Sequence, residues 1–283
     1  MPRSFPGTEN AKAPLIPAAA YEHQDAAFAG AFEIVRQAIT DRAFPAASVA
    51  ITHQGQLIAL QAFGRFTYET DSPKVIPATI FDLASVSKVV ATTTMAMVLY
   101  ERGLLDLETP IVSVIPEFAN GESDRHDVTF HMLLGHSSGL PAYEKLFLRA
   151  KTKEDLLAAA LATPLTAKPG TRAEYSDIGF IILGVALERI ADESIDRFCQ
   201  REIFGRMGMM QTVFNPPAAW RSSIPPTVDD QTFRGRIIQG EVHDENASVL
   251  KGVAGHAGVF STAQDVATFA NVMLVGGKPL VRP

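Results

Sequence analysis

The sequence predicts an α+β protein in which a mixed segment of helix and strand precedes a longer, mainly helical block. Three observations predict it. Residues 24–41 carry Phe28, Phe32, Val35 and Ile39 at spacings of four, three and four, the apolar stripe of a helix that covers something. Residues 46–62 are rich in Val, Ile and Leu, and the break His53-Gln54-Gly55 divides them into two strands joined by a tight turn. From Ser85 to about Thr212 apolar runs of helical length dominate, without an internal repeat.

Residues 65–77 are polar and aperiodic, with Pro73 and Pro77, and form a connecting loop. Val89 to Tyr100 carries no charge and reads as a buried helix ending near Gly103, a residue suited to the left-handed position after a helix. Its Thr92-Thr93-Thr94 run is a weak helix former, so tertiary packing must hold it. Leu104 to Phe118, with Pro110 and Pro116, reads as a packed loop, and 128–136 as a short helix. Thr152 caps a helix over 152–161, with Glu154 and Asp155 in its first turn. Ile178, Phe180, Ile181, Ile182, Leu183 and Leu187 mark 177–190 as a buried helix, and 194–207 follows as another. Ser261-Thr262-Ala263-Gln264 opens a last helix over 266–274. Three stretches result: 1–84, helix plus hairpin; 85–235, mainly helical; and 236–283, a return toward the first.

With 283 residues, 47% hydrophobic and 20% charged, the chain is long enough for one large or two modest domains. A net charge of -6 and the absence of any basic run argue against nucleic acid or an anionic membrane surface as partner. The single cysteine, Cys199, excludes an internal disulfide and a thiolate metal cluster, and Phe198, Ile203 and Phe204 around it suit a core helix. Residues 1–20 hold Pro2, Pro6, Pro14 and Pro17 and no long apolar block, so they read as an extended lead-in rather than a signal peptide or a membrane span. Such a chain is cytoplasmic, or exported with its signal removed.

The chemistry concentrates in Phe81-Asp82-Leu83-Ala84-Ser85-Val86-Ser87-Lys88. Residues three apart share a helix face, so Ser85 and Lys88 touch if a helix starts here. A serine hydroxyl needs a neighbouring base to become a nucleophile, and a partly buried lysine supplies one. Against the reading of a solvated pair on a first turn stands the uncharged run that follows, which places Lys88 at the mouth of a buried helix. Tyr175, after Pro169-Gly170 and just ahead of another buried helix, is placed to share a proton with Lys88.

Ser85-x-x-Lys88 followed by Tyr175-Ser176-Asp177 resembles the penicillin-binding-protein and class C β-lactamase-like serine hydrolases, whose second motif is usually Tyr-x-Asn. The likeness extends through Leu133 to Pro141, Tyr175 to Gly184 and Gly255 to Thr262. It implies a β-lactamase/transpeptidase-like α+β fold, with an antiparallel sheet flanked by helices and a mainly helical domain beside it. It also implies an active site in the cleft and an acyl-enzyme mechanism. In it Ser85 attacks an ester or amide carbonyl, Lys88 and Tyr175 move the protons, and the Ser85 N–H helps hold the oxyanion. The substrates implied are small molecules or peptides with an ester, amide or β-lactam carbonyl, and no metal or organic cofactor is implied.

Two departures from the family pattern matter. Asp177 stands where Asn is usual; a carboxylate there favours the ammonium form of Lys88 and leaves Tyr175 as the base, or else Asp177 caps the helix that follows. The family's third motif, Lys-Thr-Gly or His-Thr-Gly on a strand, is matched only by His256-Ala257-Gly258, on a loop entering a helix. Two strands make a marginal sheet, so the sequence predicts a chain that stops before its remaining strands.

Other readings compete. Gly135-His136-Ser137-Ser138-Gly139 has the Gly-x-Ser-x-Gly form of an α/β-hydrolase elbow with Ser137 as nucleophile, but it lies among helices and reads as a turn. His131 and His136 are off the spacing of a helical metal pair. His243-Asp244-Glu245-Asn246 is a polar loop that rims the pocket by resemblance or is simply solvated. From a different class, the chain is a non-catalytic binding module, or an inactive fragment, that keeps the cleft.

Overall fold

The computed structural model of the protein describes residues 18–281, so most of the proline-rich lead-in lies outside the described residues. The chain opens with β1 (Ala18–Ala19), α1 (Gln24–Ala27) and α2 (Ala29–Thr40). The stripe that predicts one helix is broken at Phe28, whose φ of -115° leaves the helical region. Side-chain ties explain the break: Leu60 donates its N–H to Gln24 and Gln61 donates to Asp25, each at 2.8 Å, which fixes α1 to the neighbouring strand.

β2 (Ala46–His53) and β3 (Gln56–Gly64) form the expected hairpin. Gln54 and Gly55 both take positive φ, the turn handedness that matches strand twist. β1 pairs in parallel with β3, giving the order β1-β3-β2, one strand more than the sequence predicts. α2 lays Phe32 on Ala59 and Phe63, with Phe28, Val35, Ile39, Val49 and Ile51 around them.

β4 (Phe81–Asp82) leads into a composite helix: a 3-10 turn over Ala84–Val86, a π-helical stretch over Lys88–Thr93, then α3 (Thr94–Glu101). Thr92 is held from outside the helix as expected, donating to the Gly255 carbonyl at 2.6 Å, whereas Thr94 donates within the helix to that of Val89 at 2.8 Å. The helix ends at Gly103, φ 68°, with Gly103 N–H donating to Tyr100 and Leu104 N–H to Leu99, a Schellman closure.

α4 (Phe130–Leu134), α5 (Lys153–Leu161) and α6 (Asp177–Ala191) fall where predicted. Thr152 and Asp155 form a reciprocal capping box on α5. The 194–207 helix is α7 (Ile195–Cys199), a π-helical turn and α8 (Gly205–Met207). β5 (Val213–Phe214) is followed by the hairpin of β6 (Pro226–Asp230) and β7 (Arg236–Gln239), then α9 (Glu245–Val249), β8 (Val259–Ser261) and α10 (Ala263–Leu274).

The main core gathers Met95, Leu99, Phe130, Leu133, Ile178, Leu183, Phe198, Cys199 and Phe204, and runs on into Ala247, Val259 and Val272. The returning stretch therefore shares the helical core. α10 also packs on β2, and β8 lies between β4 and β5, so the return ties both parts of the chain to the Ser85 motif.

Candidate active site

β8 zips the serine motif into place. Leu83 donates its N–H to the Val259 carbonyl at 2.9 Å, and Val259 returns its own N–H to Ser87 Oγ at 3.0 Å. Ala84 is forced to φ 45°, an uncommon value for a residue with a Cβ, and Asp82 Oδ1 accepts its N–H at 2.8 Å. The tight 3-10 turn then leaves Ser85 exposed, with Lys88 three residues on and buried behind it.

Lys88 is 3% exposed and its Nζ has three oxygen neighbours. It donates to Ser85 Oγ at 2.9 Å and to the His256 carbonyl at 3.0 Å, and meets Asp177 Oδ1 at 2.6 Å in an ion pair. The sequence places Ser85, Lys88 and Asp177 together, and so does the structure. Asp177 does not cap α6: Ser176 does, its Oγ accepting the Gly179 N–H at 2.9 Å, because Asp177 sits one residue inside the helix with its carboxylate turned to Lys88.

Tyr175 is half exposed, and Lys88 Nζ lies 4.8 Å from its ring centroid. No hydrogen bond joins the phenol to Lys88; the ammonium faces the ring. His136, which the sequence offers only as a poor metal ligand and as part of the Gly135–Gly139 turn, brackets this tyrosine. Its carbonyl accepts the Glu174 N–H at 2.7 Å, its Nδ1 accepts the Ser176 N–H at 3.0 Å, and its ring packs on Tyr175 at 4.6 Å between centroids. Burial lowers the His136 pKa, the Lys88 charge lowers it further, and Asp177 opposes both. The neutral imidazole is what an accepting Nδ1 requires. The sequence signal for it is the Gly135-His136 pair at the end of a short helix, where His136 takes a positive φ of 56°.

His256 and Gly258 act through the backbone. The His256 ring is buried and donates from Nε2 to Asp244 Oδ1 at 2.7 Å, leaving its carbonyl to Lys88. Gly258, φ 119°, has no room for a Cβ, which would lie 2.3 Å from the Gly252 carbonyl. The triplet enters β8 rather than the helix directly, because Val259 to Ser261 pair with β4 and β5 before Thr262 caps α10. Gly255 approaches α6 so closely that a Cβ would sit 2.1 Å from the Phe180 carbonyl, and Gly184 faces it across that contact.

The rival serine motif is a turn. It follows α4, and no strand precedes it. Gly139, φ 83°, lies against the Ala167 carbonyl, so Ser137 lacks the strand-to-helix setting of an elbow. The 243–246 loop is structural as well as peripheral: Asp244 caps α9 and the buried Asn246 bonds Phe147 N–H and the Glu144 carbonyl. Among the described residues no group of His, Cys, Asp and Glu is arranged to hold a metal ion, and no helix is long and apolar enough to cross a membrane.

Residues 31–283 match the protein family described as Beta-lactamase. The chain belongs to that family. Within the Beta-lactamase family it is 30% identical over 267 residues to an Escherichia coli (strain K12) protein described as "Putative D-alanyl-D-alanine carboxypeptidase", which covers 84% of this chain. It is 29% identical to a Bacillus subtilis (strain 168) protein described as "N-acetylmuramyl-L-alanine amidase", with 83% of this chain covered. The chain spans 62% and 60% of the lengths of these two relatives. A class C β-lactamase from Rhodobacter sphaeroides superposes with a TM-score of 0.69 at 26% identity, over 91% of this chain and 67% of that one. The Beta-lactamase-family fold, with antiparallel sheets and flanking helices, is the one the resemblance implies.

Proposed function

We propose that the chain carries the nucleophile of a serine hydrolase that acts on ester or amide carbonyls through an acyl-enzyme. The observation that carries this reading is the buried Lys88 amine 2.9 Å from the exposed Ser85 hydroxyl, with the Tyr175 ring 4.8 Å from the same nitrogen. Ser85 Oγ attacks the carbonyl carbon and its proton leaves to the Lys88/Tyr175 pair. Asp177 pairs with Lys88, so Tyr175, acting as its phenolate, is the group assigned to accept that proton and become the neutral phenol, closing on Ser85 when substrate fills the cleft. The same pair returns a proton to the leaving group, and water then releases the acid. The Ser85 N–H, at the start of the helix, donates to the oxyanion.

The names of the two curated relatives and of the class C structure favour amide carbonyls, a D-alanyl peptide or a β-lactam, over plain esters. The test is labelling with a fluorophosphonate and with a fluorescent penicillin, followed by peptide mapping. Label is expected on Ser85 and lost in Ser85→Ala while Ser137→Ala keeps it. Label that follows Ser137, or none where a full-length relative reacts, rejects the reading.

A further inference from the structure

We infer that the dipeptide His243-Asp244 is a clamp that positions both members of the reacting pair, Ser85 through Asp82 and Lys88 through His256. The inference deepens the proposed serine chemistry and rests on it. The first arm begins at the His243 N–H, which donates to Asp82 Oδ2 at 2.7 Å, while the other oxygen of that carboxylate accepts the Ala84 N–H at 2.8 Å. One carboxylate thereby bridges the loop to the residue whose uncommon φ of 45° aims Ser85 outward.

The second arm begins at Asp244 Oδ1, which accepts from His256 Nε2 at 2.7 Å. With the ring drawn to that side, the His256 carbonyl is presented to Lys88 Nζ at 3.0 Å. His256 is 1% exposed and its Nδ1 has no hydrogen-bond partner among the described residues. A buried imidazole with an orphaned nitrogen lowers stability, so its contribution lies in the position it enforces. The clamp has a fixed footing. Asp244 Oδ1 also accepts the Ala247 N–H at 2.7 Å, and the adjoining Asn246 is bonded to Phe147 and Glu144 in the helical body. Asp82, Asp244 and His256 are thus positioning residues, and none of them needs to touch substrate.

The test is the kinetics of fluorophosphonate labelling at Ser85 in the full chain, resolved into the reversible binding constant and the inactivation rate constant, with thermal unfolding run on every variant. A reacting group displaced by about 1 Å loses up to about a hundredfold in rate. His256→Leu is expected to slow inactivation by at least about tenfold with binding unchanged. His256→Gln, whose amide N–H reaches Asp244, restores the rate to within about threefold of the parent. Asp82→Asn, which keeps the shape but loses the charge and one acceptor, slows inactivation through the other arm. Parent-like inactivation in His256→Leu or in Asp82→Asn overturns the clamp and leaves Ser85 as nucleophile, and so does a loss that His256→Gln shares while equally folded. No label on the parent chain removes both readings together.

Discussion

The Lys88–Asp177 ion pair is the charge arrangement on which the proposed chemistry depends, and its strength is measurable. Asp177→Leu leaves an ammonium that is 3% exposed with only two neutral oxygens, Ser85 Oγ and the His256 carbonyl. At 2.6 Å, with an effective dielectric of about 20, the gross attraction is about 6 kcal/mol. Desolvation offsets much of it, and removing one member of a buried pair costs about 3–5 kcal/mol. The Asp177 side chain is 17% exposed, which puts the expected loss at the lower end, about 3 kcal/mol. Lys88→Met combined with Asp177→Leu removes both charges and is expected within about 1 kcal/mol of the parent. Lys88→Met alone, which leaves a carboxylate still 17% exposed to water, is expected to cost about 1 kcal/mol, so the double-mutant cycle, read by urea unfolding followed by circular dichroism, should return a coupling of about 3–5 kcal/mol. A coupling below about 0.5 kcal/mol would refute the reasoning, because it would mean that solvent already screens the pair.

The His136 pKa is lowered from 6.5, so between that value and the folded one the unfolded chain binds a proton the folded chain refuses, and stability falls as pH falls through that window. His136→Asn, suited to the positive φ and still able to accept the Ser176 N–H, should flatten the difference in urea midpoint between about pH 7.5 and about pH 5.5; an equal slope in both proteins counts against the assignment. Gly255→Ala drives a Cβ onto the Phe180 carbonyl and should cost about 2–3 kcal/mol by the same urea assay, an outcome that unchanged midpoints would contradict. Thr152→Ala opens the capping box on α5 and should cost about 1 kcal/mol without slowing labelling at Ser85, since α5 contributes nothing to the Lys88 cluster.

What the sequence made legible was local, and what it hid was carried by the backbone. Phe32 and its stripe, Gln54-Gly55, Thr152 and Gly103 each encode an element within a few residues, and each element is present where those residues place it, except that the stripe's single helix is broken in two at Phe28. Ser85, Lys88 and Asp177 were legible for the same reason in the first pair and by motif in the third. Val89 shows the limit of composition: an uncharged run predicts a buried helix, yet Val89 is 53% and Tyr100 57% exposed, so apolar residues of that run are turned outward. The tertiary half of the site has no local code. The acceptor that faces Lys88 is a carbonyl, identical in every residue, and it points there because of a ring contact with Asp244 and a glycine contact with α6. The clue available in advance was Gly184 inside a strongly apolar helix, since a glycine there lowers helix stability unless something approaches too closely for a Cβ. That something is Gly255, one residue before His256, so the pair of glycines sets the distance across which Lys88 finds its acceptor. A search for chemistry-bearing side chains alone passes over both, although the lysine's geometry is fixed by them as much as by Asp177.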